Sequence, residues 1–176
     1  MSESKLPLHF RQLLGQTLPA DFRAEVVETL LTDKEARSAA QEAMGTVAAL
    51  RKMRPQTINT LGRPQRANLL LTSLAQPAME TAAMQALQVW FLRKGRPLMS
   101  QMLDAWKIAH ENGELDDDAE LPKLSAEQVR TAAQAAVATH PKAAVMAYIA
   151  YNHLAPSVEG WQESFGEVLQ EMLAAN

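Results

Sequence analysis

Proline placement constrains this chain more than any other feature. Proline lacks an amide N–H and fixes φ, so it is tolerated at a first helical position and breaks a helix elsewhere. Pro7, Pro19, Pro64, Pro77, Pro97 and Pro141 each head a stretch with apolar residues at helical spacing. Alanine, leucine, glutamine and methionine are plentiful, and aromatics are only 5%. That mixture favours helix and supplies few strand formers. The expected fold is therefore all-α, a single-domain irregular or orthogonal bundle of about seven or eight helices, with no strands.

The individual helices follow from caps and stripes. A first helix is expected over residues 7–14, stopped by Gly15. A second follows Pro19, with Phe22, Val26, Val27, Leu30 and Leu31 on one face. Thr32 with Glu35 has the spacing of a capping box and would open a third helix, with a small inner face from Ala36 to Leu50. Residues 55–62 are expected to be a polar linker. Helices then follow at Gly62-Arg63-Pro64, Pro77 and Gly95-Arg96-Pro97, the last stopped by Asn112-Gly113. Residues 111–124 read as an acidic loop. Ser125 with Gln128 is a second capping box. Residues 141–155 are apolar on nearly all sides, as a central helix is. After Pro156, the residues Val158, Trp161, Phe165, Val168 and Met172 form a short heptad seam.

The two Gly-Arg-Pro corners lie 33 residues apart, close to the period of some helical repeats. Repeat consensus residues are missing, so repeat-like stacking is the minority alternative.

Charge is segregated. Residues 43–103 hold Arg51, Lys52, Arg54, Arg63, Arg66, Arg93, Lys94 and Arg96 against one acid, Glu80, in a chain whose net charge is −3. The segment 104–176 has twelve acids and four bases. A basic block draws polyanions or acidic proteins. The corner arginines, Arg63 and Arg96, stand at helix starts whose free N–H groups also favour anions. Internal pairing with the acidic third is the competing account of the same charges. The pI of about 5.8 argues against a dedicated nucleic-acid binder.

Chemistry-bearing motifs are sparse. His9, His110, His140 and His153 do not pair at metal-ligand spacing. No glycine-flanked serine elbow or phosphate-binding glycine loop occurs. The acidic run lacks the alternation and glycine of a calcium loop. There is no cysteine, which fits a reducing compartment and removes disulfides. Residues 1–8 do not resemble a leader, and no apolar run is long enough to cross a bilayer. The sequence thus points to a cytoplasmic, non-enzymatic interaction protein: an adaptor or regulatory subunit without cofactor or metal. A protein partner is expected, with self-association as a variant and Trp161 and Phe165 as interface anchors. The alternative is an RNA- or DNA-binding protein using 51–66 and 93–96. An enzyme acting on an anionic small molecule is the weaker third reading.

Overall fold

The computed structural model describes Leu6, Pro7 and residues 9–175. The other residues, including most of the segment 1–8 read above as unlike a leader, lie outside the described set. The chain is all-α, and it divides into two compact units where one domain was expected. One comprises residues 9–93, the other residues 94–175 with Leu6 and Pro7. No helix among the described residues is long and apolar enough to cross a membrane.

The N-terminal unit begins with α1 (Phe10–Gln12), which continues as a π-helical turn (Leu13–Thr17). Then come α2 (Ala20–Thr32), α3 (Arg37–Leu50), α4 (Pro55–Thr60) and α5 (Arg63–Ser73). A 3-10 turn (Pro77–Met79) leads into α6 (Glu80–Arg93). α2 and α3 each pack on both α5 and α6. Leu30, Val47, Leu70, Ala83 and Leu87 form the buried centre.

The C-terminal unit holds α7 (Arg96–Ala105), α8 (Ala126–Val137), α9 (Lys142–Leu154) and α10 (Trp161–Ala174). α9 is central: every residue from 144 to 150 is buried. α10 packs on α9 and α8. Ser125 accepts from the Gln128 amide while Gln128 Oε1 accepts from the Ser125 amide, the reciprocal cap expected from the sequence.

Four local expectations are corrected. Gly15 does not stop the first helix, which carries on to Thr17. Thr32 is not the cap of α3, because its hydroxyl donates back to the Glu28 carbonyl. Asp33 does that work instead, accepting from the Glu35 and Ala36 amides at 2.7 and 3.1 Å. The 55–62 linker is helical over Pro55–Thr60, where Pro55 takes the first helical position and Ile58 is buried. One buried side chain anchors a turn that periodicity cannot detect in six residues.

The fourth correction is Asn112-Gly113. α7 ends earlier, at Ala105, with Lys107 in the left-handed region and the Ile108 amide donating back to the Leu103 carbonyl. Asn112 and Gly113, both at positive φ, turn a small hairpin instead. It joins β1 (His110–Glu111) to β2 (Glu114–Leu115), pairing antiparallel inside the expected acidic loop. So the expectation of no strands also fails, by two residues on each side.

Candidate functional site

The basic block does not act as one surface. Arg63 pairs with Glu28 at 3.1 Å. Arg93 binds Asp33 and Glu35. Arg96 donates to the Asn112 carbonyl at 3.1 Å and to Glu114 at 2.8 Å. Arg51 reaches the hydroxyls of Thr72 and Ser73. Both corner arginines are thus engaged with carboxylates of their own unit. Arg96 pairs with the acidic segment 111–124; Arg63 and Arg93 pair with acids of α2 and the turn after it. Lys52 and Arg54 are exposed beside the start of α4, and Lys94 is exposed.

Arg66 differs from the others. It stands in the first turns of α5, half-buried, and its Nε is out of solvent without a hydrogen-bond partner among the described residues. A buried donor left unsatisfied costs roughly 1–3 kcal/mol, and more when it carries charge.

Arg66 lines an open groove of about 670 Å³, within the range of roughly 300–1,000 Å³ usual for ligand sites. The groove lies among the end of α2, α3, α4 and α5. Its apolar floor is Met44, Ala48 and Ile58, all buried. Lys34 and Arg37 join Arg66 on its walls, with Gln41 and Asn59 as neutral polar groups. Neither Lys34 nor Arg37 forms an ion pair among the described residues. The acid in the lining, Asp33, is already taken by Arg93. The groove is therefore cationic with an apolar bottom.

Asp33 shows why. Burial would raise its pKa, but the amides of Ala36 and Glu35 and the Arg93 guanidinium outweigh burial and hold it below the usual carboxylate value. A carboxyl group with a lowered folded-state pKa stabilises fully above its unfolded value, about 3.9, and loses that stabilisation as pH falls through the folded value. Melting temperature is accordingly expected to drop below about pH 5, and Asp33→Asn to flatten part of that slope. At pH 7 Asp33→Ala, which removes the cap as well as the charge, should cost on the order of 1 kcal/mol. Thermal melts between about pH 3 and 7 check both, and an unchanged acid slope would count against the clamp.

Trp161 and Phe165 are not surface anchors. They are 2% and 0% exposed, because they form one aromatic cluster with Trp106 and Tyr148. Trp161 Nε1 donates to the Pro122 carbonyl at 2.9 Å, which pins the end of the acidic segment. Burial pushes the Tyr148 hydroxyl pKa far up, so it stays protonated in this core.

His110, His140 and His153 are separate and each is held locally. The Gly113 amide donates to His110 Nδ1, so Nε2 carries the proton offered to Asp104. His140 Nε2 sits 3.0 Å from Gln101 Oε1. His153 Nδ1 donates to the Gln162 carbonyl. No group of three or more metal-ligating side chains occurs among the described residues.

Sequence reading named Arg66 but missed Lys34, Arg37 and the groove itself. Lys34 and Arg37 stand outside the dense block, beside two acids, Asp33 and Glu35, so their charge cancels in any count. No spacing rule pairs them, because Lys34 lies in the turn before α3 and Arg37 is its first residue, so only the fold brings both to the groove. No family model, curated protein or solved structure matches this chain.

Proposed function

We propose that this protein is a non-enzymatic interaction protein whose N-terminal unit receives an acidic segment of a partner protein in the groove between α3, α4 and α5. The observation that carries this reading is the groove's combination of an apolar floor with Lys34, Arg37 and Arg66, none of them neutralised by a carboxylate among the described residues. Apolar floor and cationic wall suit a peptide with acidic and aliphatic side chains. Gly45 adds a wall without a side chain: a Cβ there would meet nothing within 4 Å, so another backbone can come close.

The nucleic-acid alternative loses support from the aromatics. No aromatic side chain among the described residues is exposed, and Trp90 and Phe91 pack in the core of the N-terminal unit. Base stacking is the usual second contribution beside phosphate contacts in single-strand binding.

The test uses the full chain, a fluorescein-labelled glutamate- and leucine-containing peptide, and a single-stranded oligonucleotide of equal charge. The peptide is expected to bind with a salt-dependent affinity. Lys34→Glu with Arg37→Glu should weaken it at least about tenfold, as removal of two attractive charges and addition of two repulsive ones requires. Lys107→Glu with Lys123→Glu, both exposed in the other unit, should change it little. Equal loss from both pairs, or tighter binding of the oligonucleotide, would overturn the reading.

A further inference from the structure

We infer that the groove contains a carboxylate subsite at Arg66, which reads one Asp or Glu side chain of the bound segment. The inference rests on the reading of the groove as a receptor for an acidic segment, and makes it specific.

Three observations meet at this residue. First, Arg66 Nε is buried and unpartnered among the described residues, whereas Arg63, Arg93 and Arg96 all have carboxylates. A guanidinium has five donors and no acceptor, so only an acceptor brought from outside relieves it. Second, Arg66 is itself half-buried where it lines the groove, and buried Met44 and Ile58 belong to the same lining. An ion pair there is screened less by salt than one on the open surface. Third, the groove's own acid cannot serve, because Asp33 is held by two amides and by Arg93.

The chemistry follows from the fork. Nε–H and one terminal N–H of a guanidinium lie parallel and match the two oxygens of a carboxylate. Lysine offers a point charge and no fork, so it is not an equivalent. Lys34 and Arg37, exposed on the rim, supply long-range attraction and salt dependence instead. The division is thus between rim charges that gather an acidic segment and one recessed arginine that fixes its register.

The experiment titrates the ¹⁵N-labelled full chain with a deca-glutamate peptide, with deca-glutamine as the neutral control and inorganic phosphate as a competitor. On adding deca-glutamate, the Arg66 Nε–H resonance is expected to shift and to exchange more slowly with water. Arg66→Gln and Arg66→Lys should each weaken binding roughly tenfold, the size of a charge-assisted bidentate contact. Arg66→Met should abolish the contact yet raise Tm by about 2–4 °C, since it removes an unsatisfied donor and keeps the bulk. A falling Tm with unchanged affinity would make Arg66 structural and sink the subsite. So would wild-type affinity in Arg66→Gln while Lys34→Glu with Arg37→Glu abolishes binding, an outcome that leaves the broader reading standing. Failure of wild-type protein to bind deca-glutamate at low salt removes the broader reading and the subsite with it. Displacement by phosphate at concentrations where acetate fails would overturn the assignment to carboxylate.

Discussion

Phe165→Ala is expected to destabilise the C-terminal unit by about 3–5 kcal/mol, the range for deleting a fully buried phenylalanine. Three facts put it at the upper end. Phe165 is 0% exposed, so the whole ring is lost from the core. It stands edge-on to Trp106, with ring centroids 5.4 Å apart, and tilted against Trp161 at 5.2 Å. Such aromatic pairs contribute about 0.5–1.5 kcal/mol beyond area burial. The cluster also joins three elements, since Trp106 directly follows α7, Tyr148 lies on α9, and Trp161 and Phe165 lie on α10. A domain's entire stability is about 5–15 kcal/mol, so this one change consumes a large part of it. Urea unfolding followed by tryptophan fluorescence and by hydrogen exchange of α8 to α10 measures the effect. A loss under about 1 kcal/mol would mean that the cluster is not the centre of this unit.

The same cluster shows what the sequence can and cannot disclose. The heptad spacing of Trp161, Phe165 and Val168 identifies the buried face of α10, because helical periodicity reports which side is apolar. It does not report what lies opposite, and a core face and a dimer seam have the same period. The all-α fold was legible because Pro19, Pro64, Pro77, Pro97 and Pro141 sit at or within one residue of a helix start, whereas Pro7 does not head the first helix, which starts at Phe10. Charge was the least legible quantity. Arg93 and its acids Asp33 and Glu35 are 58 to 60 residues apart in the chain, and Glu80 turns out to cap α1 through the Phe10 and Arg11 amides. Pairing at such separations is set by tertiary packing. A net charge summed along a segment therefore cannot say which cations remain available. The groove was invisible for the same reason: its walls come from four helices, one of which, α4, looked like a linker.

Gly15→Ala is the second large effect, and it separates two reasons for a glycine. As a helix stop, Gly15 would owe its identity to conformational freedom, and alanine would be penalised for its φ. In the structure Gly15 lies inside the π-helical turn, where the residue is needed for want of space. A Cβ there would stand 2.7 Å from the Ala75 amide nitrogen and 2.8 Å from its Cα. Both are backbone atoms, and neither segment is free to retreat. Arg23 donates to the Gly15 carbonyl at 2.7 Å, and Arg11 donates to the Ala75 carbonyl at 3.1 Å. Alanine's better helix propensity gives back at most about 1 kcal/mol. Overpacking against fixed atoms costs about 1–3 kcal/mol, so the clash wins and the net change is a loss. Gly45→Ala is the matched control: the same chemical change within α3, with nothing within 4 Å of the new methyl. It should stabilise by about 0.5–1 kcal/mol. Thermal and urea unfolding of the two variants are expected to move in opposite directions. Two shifts of the same sign would show that contact with Ala75 is not what holds position 15 to glycine. Ala75 follows the end of α5, whose first turns carry Arg66. A displacement at Ala75 should therefore also weaken deca-glutamate binding in Gly15→Ala, and restoring space with Ala75→Gly should recover part of both losses.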